Sequence, residues 1–393
     1  MAVYLAVALT VLTHTSFKGS KVLIALYAYD LGANPLTIGL LFSMYSLFPI
    51  FLSVYAGKLS DRYGSRLPML FGAIGLVVGL LLPFAFPRLE TLFLSATLIG
   101  VCYIFYIVSV QHLIGSIGEP ANRTRNFSIF SLGIAATALV GPTTTGFAID
   151  AIGYRSTYLL LATIPALPIL AMLIFPRLLP SVQIKAKAPA EQRTRDLLRN
   201  APLRRALITA GVVETGVELF NFFLPIYARS IDFSASQIGI IMGTFGAALI
   251  VVRTFMPALA RWSSEERVLS TSLYIAAATY LVFPLVSSFA GLLVMSFVLG
   301  LGLGCGSPLS LVLAYNRSPP GRSGEALGIR QVVNKVTETT MPVVFGSLGV
   351  IAMASAFWVD AAMLAFGAWL IGQDAGRRLK KPPPATSHDA ESP

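Results

Sequence analysis

The feature that most constrains this chain is a series of apolar runs of about 20 residues that recurs from one end of the sequence to the other. A helix of that length spans the hydrocarbon core of a bilayer, which is about 30 Å thick. Lipid offers no hydrogen-bond partners to a backbone, so each run is predicted to be helical. We predict twelve transmembrane helices, at residues 3–29, 36–57, 68–86, 91–117, 127–149, 155–176, 204–228, 236–259, 268–287, 290–315, 326–348 and 351–373.

Composition and charge agree with an all-α integral membrane protein. Hydrophobic residues make up 55% of the chain and charged residues 12%, against roughly 25% charged residues in soluble domains. The net charge of +11 does not indicate a nucleic-acid partner, because most Lys and Arg residues fall in alternate connections and near the C-terminus. This is the distribution of the positive-inside rule. We therefore expect a multi-pass protein of the cytoplasmic (inner) membrane, in contact with the lipid bilayer and with both termini cytoplasmic.

One long connection divides six predicted helices from six. It is basic and polar, which predicts an N-terminal six-helix bundle at residues 1–177, a cytoplasmic linker at 178–203 and a C-terminal six-helix bundle at 204–375. Residues 376–393 contain PPP and HDAESP and are predicted to be a disordered cytoplasmic tail. No Lys or Arg precedes the first apolar run, so we expect that run to be a transmembrane helix rather than a cleaved signal peptide.

The two halves of the chain repeat each other. An offset of 200 residues superimposes them without a gap over long stretches, which predicts two homologous six-helix bundles. The anchors of this register are Ile38 and Gly39 with Ile238 and Gly239, Gly100 with Gly300, Pro120 with Pro320, Pro142 with Pro342, and Gly146 with Gly346.

Two motifs resemble those of a known family. The connection GKLSDRYGSRLPM after the second helix is similar to the loop signature of the major facilitator superfamily, at Gly57, Asp61, Arg62, Gly64 and Arg66. The fifth helix contains VGPTTTG, which resembles the Gly-Pro motif of the antiporters in that family, at Gly141, Pro142 and Gly146. The match is partial, since Thr137 and Thr145 stand where that motif has glycine.

The resemblance implies two bundles that rock around a central cavity to expose it to alternate sides of the membrane. Helices 1, 2, 4, 5, 7, 8, 10 and 11 surround the cavity in such proteins. Asp61 is expected to help hold the cytoplasmic side shut, beside Arg62 and the start of the eleventh helix, whose N-terminal dipole favours an anion.

Charged residues inside the predicted helices form two stripes related by the same offset. His14, Lys18 and Lys21 lie on one face of the first helix, and their counterparts Glu214, Glu218 and Asn221 lie on one face of the seventh. Charges within a bilayer are tolerated when they are paired or face water. We therefore predict that Lys18 and Glu218 pair as a gate, and that a proton on Glu214 or Glu218 couples transport. The alternative is a permanent salt bridge that only fixes helix packing.

A second cluster lies on the eleventh helix. Arg330, Asn334 and Glu338 share one face, Lys335 can pair with Glu338, and Arg253 adds a cation on the eighth helix. Counted together with the first cluster, these groups give a surplus of two positive charges, which suits a carboxylate or phosphate. The predicted substrate-binding residues are Arg253, Lys335, Arg330, Asn334, Tyr45, Tyr103 and Tyr106. For Arg330, snorkelling to the membrane surface is the alternative.

These observations predict a secondary active transporter of a small organic anion or anionic metabolite, coupled to protons and acting as a monomer. The alternative is a proton-driven multidrug or metabolite efflux antiporter. An enzyme or a receptor is disfavoured, because the connections are short and hold no Zn-ligand or nucleophile constellation, and no nucleotide-binding loop is present. We expect no cofactor and no metal. The run GLGLGCGSP, residues 300–308, predicts a bending point in the tenth helix.

Overall fold

The computed structural model describes residues 2–117, 123–175, 197, 199–319 and 323–379, and every regular element in this part of the chain is helical. Twelve helices, α1 to α12, follow the twelve predicted runs, which confirms the all-α membrane fold. Their bounds are α1 Ala2–Asp30, α2 Pro35–Tyr63, α3 Arg66–Ala85, α4 Leu89–Ser116, α5 123–152, α6 154–174, α7 Ala201–Ser230, α8 Ala235–Trp262, α9 Glu265–Val282, α10 Phe289–Gly304 continued by Gly306–Asn316, α11 Ser323–Ile351 and α12 Met353–Leu379.

Helices α5 and α6 follow each other with a single residue between them. Gly153 has φ 76° and ψ 167°, while the residues on either side remain helical. This region of backbone conformation favours glycine, because a Cβ atom would clash there. The predicted connection between the fifth and sixth helices is therefore reduced to one glycine.

Helix α10 breaks where the sequence predicts a bending point. Its first part ends at Gly304 and its second part begins at Gly306. Pro308 has no N–H to donate, and its ring conflicts with the carbonyl of the residue four positions earlier, which is Gly304. The proline thus explains why the break falls at Cys305.

The chain is a multi-pass membrane protein. Within the described residues, nine helical stretches are long and apolar enough to cross a membrane, and the stretch Arg125–Ile174 holds both α5 and α6. Helices α1 and α11 are not among the nine. The charged residues that the sequence places inside these two helices lower their hydrophobicity, although each helix is 29 residues long.

Two predicted boundaries need correction. Asn200 caps α7 by accepting a hydrogen bond from the backbone N–H of Leu203 at 3.3 Å, so residues 201–203 belong to the helix rather than to the linker. Helix α12 continues to Leu379, so residues 376–379 are helical rather than part of the tail. Most of the predicted linker, and residues 380–393 of the predicted tail, lie outside the described residues.

The two halves of the chain meet at two helix crossings, α2 with α11 and α5 with α8. Gly39 packs on the backbone of Pro342, and Gly239, its counterpart in the repeat, packs on the backbone of Pro142. A Cβ atom on Gly239 would lie 2.6 Å from the Pro142 carbonyl oxygen, so only glycine permits the approach. Six of the residues that reveal the repeat thus lie where the halves touch, namely Gly39, Pro142, Gly146, Gly239, Pro342 and Gly346. Gly100 and Gly300 instead pack on α2 and α8 within their own halves.

Hydrogen bonds reinforce both crossings. Ser43 Oγ donates to the Thr339 carbonyl at 2.6 Å, and Thr143 Oγ1 donates to the Gly239 carbonyl at 3.2 Å. The Gly-Pro contacts of both crossings lie near one end of the bundle, which carries the turns at residues 31–34 and 231–234 and is called the far face below. The opposite end, where α1 begins and α2 turns into α3, is called the terminal face. In this structure the far face is closed by packed helices.

Candidate functional site

A cavity of about 180 Å³ lies between the halves, on the terminal-face side of the crossings. Helices α1, α2, α4, α7 and α11 supply its wall. Helices α5, α8 and α10, which the family resemblance also places around the cavity, supply none of the lining residues. The lining residues are His14, Phe17, Lys18, Lys21, Tyr45, Ser46, Pro49, Gly100, Tyr103, Ile104, Ile107, Glu214, Val217, Glu218, Lys335 and Glu338.

The ion pair between α1 and α7 joins Lys21, not Lys18, to Glu218. Lys21 Nζ lies 3.5 Å from Glu218 Oε1, and both side chains are buried. The repeat puts Lys18 and Glu218 at equal depth, and Lys21 lies about one turn further along α1. Helical side chains tilt toward the N-terminus of their helix, so the long Lys21 stem reaches back to the level of Glu218.

The predicted pair on α11 is present. Lys335 Nζ donates to Glu338 Oε2 at 2.6 Å, and both residues line the cavity. Ser46 on α2 also donates to Glu338 Oε2, at 3.4 Å. Because α2 and α11 belong to different halves, this second contact depends on how the halves are arranged.

Lys18 and Glu214 line the cavity without a partner of their own. Neither side chain makes a hydrogen bond or ion pair with any of the described residues, and both are only partly buried. His14 shares a hydrogen bond through Nδ1 with the Tyr103 hydroxyl and stacks on Phe17. The cavity therefore holds two ion pairs, one unpaired lysine and one unpaired glutamate.

Aromatic rings form the remainder of the wall. Phe17 stacks on Tyr103 with ring centroids 3.9 Å apart and meets the edge of Tyr45 at 5.8 Å. Tyr106 is fully buried behind Tyr103 and does not line the cavity, contrary to the prediction. Sequence reasoning missed Phe17, although its spacing of four residues before Lys21 places both on one face of α1.

Arg253 and Arg330 lie away from the cavity. Arg253 Nη1 donates to the Ser131 carbonyl at 3.0 Å, between α8 and α5. Arg330 is buried and donates to the Ser307 carbonyl at 2.9 Å and to Ser310 Oγ at 3.0 Å, on α10. Guanidinium groups have several donors, and here nearby hydroxyls and carbonyls accept from some of them, while Arg253 Nε has no hydrogen-bond partner among the described residues.

Without these two arginines the charges on the cavity wall are balanced. Three lysines, Lys18, Lys21 and Lys335, face three glutamates, and His14 adds a group that can be neutral. The predicted surplus of positive charge is therefore absent from the cavity, which removes the main argument for an anionic substrate.

Two predicted amides lie beside the cavity rather than in its wall. Asn334 is buried on α11, and its Oδ1 has no hydrogen-bond partner among the described residues. Asn221 lines a small adjoining space together with Lys18 and Lys21. Asn221 thus lies near the lysines of α1, and Asn334 directly precedes Lys335 on α11, but neither residue lines the main cavity.

The loop motif joins α2, α3 and α6. Gly64 forms the turn with φ 76°, and Arg66 donates through Nε to the Met172 carbonyl at 3.1 Å, which fixes α3 against α6. Arg62 lies over the Tyr63 ring at 5.2 Å, and a Cβ on Gly57 would meet no atom within 4 Å. The Asp61 side chain is outside the described part of the chain, so its contact at the cytoplasmic side stays a prediction.

The motif of α5 packs that helix between α1 and α8. A Cβ atom on Gly141 would lie 2.9 Å from the Thr15 carbonyl oxygen on α1. Pro142 and Gly146 form the crossing with α8, where Gly146 packs on Ala235. These residues act through close helix packing and do not reach the cavity. Among the described residues, no group of His, Cys, Asp and Glu could hold a metal ion.

Comparisons with known proteins agree with this architecture. The family model of the Major Facilitator Superfamily matches residues 6–334 and 206–392. The chain is 25% identical to the multidrug resistance protein MdtG of Proteus mirabilis, over 84% of this chain and 85% of the relative. It is 22% identical to the quinolone resistance protein NorA of Staphylococcus aureus, over 82% and 83% of the two chains. A solved POT family transporter in complex with 5-aminolevulinic acid has a TM-score of 0.79 at 15% identity and covers 96% of each chain, which shows the shared fold.

Proposed function

Because the chain belongs to the Major Facilitator Superfamily and is a membrane transporter rather than an enzyme, we propose that it exports amphipathic, drug-like molecules in exchange for protons. The relatives named as multidrug and quinolone resistance proteins support this substrate class. The transport pathway lies within one chain, so a monomer suffices. We further propose the cytoplasmic membrane as its location, with the terminal face and both chain ends on the cytoplasmic side.

The observation that carries the proposal is the composition of the cavity wall. Aromatic rings cover one side of it, and the three glutamates equal the three lysines in number. An uncharged or cationic aromatic molecule can therefore bind without displacing an excess of positive charge. An organic anion would find only Lys18 without a carboxylate partner.

Glu214 is the proposed carrier of the coupling proton. It faces the cavity without an ion-pair partner among the described residues, whereas Glu218 and Glu338 each have a lysine. A lone carboxylate inside a membrane is costly unless it faces water or binds a proton. A proton on Glu214 and a bound cationic substrate compete for the same negative potential, so the binding of one favours release of the other, as exchange requires.

The crossings supply the moving contacts. In the proposed cycle, the six-helix units at residues 1–177 and 204–375 rock about the cavity, as described for such folds. The packed glycines at α2 with α11 and α5 with α8 separate when the far face opens. The bond from Ser46 to Glu338 breaks at the same time, which links the opening to the charges in the cavity.

Transport of an organic anion is the second candidate function, and Lys18 is the observation that favours it. Its ammonium group faces the cavity and makes no ion pair within the described residues. A carboxylate placed between Lys18 and the aromatic wall would find one charged partner.

Transport in proteoliposomes distinguishes the two candidates. Purified protein is reconstituted, a pH gradient is imposed, and accumulation of ethidium or of radiolabelled phenylacetate is followed. We expect ethidium to be transported against its concentration gradient with dissipation of the pH gradient, and phenylacetate not to be transported. Accumulation of phenylacetate alone, or ethidium transport that does not depend on the pH gradient, would reject proton-coupled export of cations.

A further inference from the structure

Lys21 places its ammonium group among three aromatic rings. Nζ lies 5.9 Å from the Phe17 centroid, 5.7 Å from that of Phe42 and 5.9 Å from that of Tyr45. Glu218 Oε1 lies 3.5 Å from the same Lys21 Nζ. Phe17, Phe42, Tyr45 and Glu218 are called the cation cage below. Rings that surround a positive charge are the chemistry by which proteins recognise quaternary ammonium groups and other organic cations.

The cage is preformed by its own packing. Phe42 is 1% exposed, Tyr45 4% and Glu218 3%. Tyr45 donates its hydroxyl hydrogen to Ser20 Oγ at 3.1 Å, and Phe42 meets the edge of Phe222 at 5.2 Å. These contacts hold the rings in place without help from a ligand, so a cation that replaces the ammonium group would meet an ordered site.

The cage also opens onto the cavity. Phe17, Tyr45 and Glu218 line it, as does Lys21 itself. A lysine ammonium is compact and strongly hydrated, and it loses much of its hydration when buried. A quaternary ammonium group is larger and weakly hydrated, so the same rings and carboxylate suit it better.

We infer that Lys21 is an internal stand-in for an organic cation: it fills the cation cage while the cavity is empty and is displaced when a quaternary or similarly diffuse cation binds. This inference rests on the proposed export function and adds to it the class of the preferred substrate and the group that competes with it. During displacement Glu218 exchanges one positive partner for another. The carboxylate is therefore never left buried and unpaired, a state that is strongly unfavourable.

Binding of benzyltrimethylammonium to the purified full-length protein tests the displacement. Affinity is measured by isothermal titration calorimetry at mildly alkaline pH for the wild type, Lys21→Met, Lys21→Arg and Lys18→Met. Lys21→Met vacates the cage and is expected to tighten binding about tenfold or more. Lys21→Arg keeps a cation there and is expected to give no gain. Lys18→Met removes the same charge from the same cavity, one helical turn away and off the rings, and is expected to tighten binding by no more than about threefold.

Equal gains for Lys21→Met and Lys18→Met, or no gain for Lys21→Met, would overturn the inference. Phenylacetate, an aromatic ligand of opposite charge, serves as the second probe. If Lys21→Met improved its affinity as much as that of the cation, extra space rather than the cage would explain the result. Should Lys21→Met fail to fold, Glu218→Gln decides the question, since it removes the cage carboxylate and is expected to weaken benzyltrimethylammonium binding about tenfold; unchanged affinity would contradict the assignment.

The proposed function is tested separately by these measurements. One outcome is that wild-type proteoliposomes move ethidium with the pH gradient while Lys21→Met binds benzyltrimethylammonium no more tightly than the wild type does. That result would support the export function and reject displacement of Lys21 by a cation. If the variants bind benzyltrimethylammonium as expected but no pH-driven export occurs, the cation cage is supported as a cation-binding site and the proposed export function is rejected.

Discussion

Lys21 Nζ lies 3.5 Å from Glu218 Oε1 with the two side chains 8% and 4% exposed, so a buried ion pair joins α1 to α7 in the wall of the cavity. The pair connects the first helix of one half of the chain to the first helix of the other. Removing one partner would leave the other charge buried and uncompensated, at a cost of about 3–5 kcal/mol in protein interiors. The pair is therefore placed to couple the positions of the two halves to the charge state of the cavity.

Exchanging the two charges tests this contact. Lys21→Glu and Glu218→Lys are each expected to reduce transport strongly, because each places two like charges side by side. The double variant restores an ion pair and is expected to recover part of the activity, with a coupling energy of about 1 kcal/mol or more. Ethidium efflux from cells that express equal amounts of each variant provides the measurement.

The control for this exchange uses the neighbouring lysine. Lys18→Glu with Glu218→Lys reverses the pair predicted from sequence symmetry, and it is expected to give no recovery beyond the sum of its single changes. Recovery in the Lys18 double variant and not in the Lys21 double variant would show that the working contact differs from the one in this structure.

Glu214→Gln is expected to separate exchange from proton-driven transport. Glutamine resembles the protonated acid but cannot release a proton, so the variant can bind substrate and still change conformation. Accumulation driven by a pH gradient should fall to background in proteoliposomes, while exchange of labelled for unlabelled ethidium at equal pH should continue. Glu338→Gln is the matched comparison, because that carboxylate is already paired with Lys335. Loss of exchange along with gradient-driven transport would assign Glu214 a structural role instead.

Gly239→Ala is expected to weaken closure of the far face. The added Cβ would lie 2.6 Å from the Pro142 carbonyl oxygen, so α5 and α8 must move apart. Overpacking of this kind costs about 1–3 kcal/mol. Ala28 is fully buried near that face, and a cysteine in its place reports the opening by its rate of reaction with a maleimide. The rate should rise in the Gly239→Ala background.

Gly328→Ala provides the control for the crossing, since a Cβ at Gly328 meets no atom within 4 Å. It should leave the labelling rate of the cysteine at position 28 unchanged. Equal rates in the Gly239→Ala and Gly328→Ala backgrounds would mean that the crossing does not limit opening.

Thr215→Val is expected to destabilise the fold. Thr215 Oγ1 and Asp360 Oδ1 share a hydrogen bond of 2.6 Å between α7 and α12, and Asp360 is fully buried. Without the hydroxyl the carboxyl group loses that partner, at a cost of about 1–3 kcal/mol. Replacing both, as Thr215→Val with Asp360→Leu, should restore much of the loss, because no buried polar group is then stranded. Thermal unfolding in detergent compares the variants, and a double variant less stable than Thr215→Val alone would contradict this account.

The helices and the repeat could be predicted from the sequence because both rest on local patterns. The length of the apolar runs predicts the twelve spans. Gly39 recurs as Gly239 because only a small residue can pack so closely on the backbones of Pro342 and Pro142. The same symmetry could not identify the partner of Glu218. It fixes the depth of each Cα atom, but the reach and tilt of a lysine side chain decide whether position 18 or 21 makes the contact.

The arginines show a second limit of sequence reasoning. Arg330 lies on α11, which borders the cavity as expected, but its guanidinium group turns to Ser307 and Ser310. Arg253 lies on α8, which supplies none of the lining residues, and its guanidinium group turns to Ser131. Which hydroxyl or carbonyl lies within reach depends on helix packing, and no spacing in the sequence records it. The charge of the cavity was therefore predicted wrongly, although most of its charged residues were identified.

The proposed exchange requires that a substrate displaces a proton from a carboxylate of the cavity when it binds. Measuring the protons released on binding tests this most directly. Purified protein in weakly buffered detergent solution is mixed with ethidium, and a pH indicator reports protons released per molecule bound. The wild type is expected to release protons at a pH where Glu214 is protonated in the empty protein, and Glu214→Gln is expected to bind ethidium without that release. Binding without proton release by the wild type, or undiminished release by Glu214→Gln, would contradict the proposed exchange.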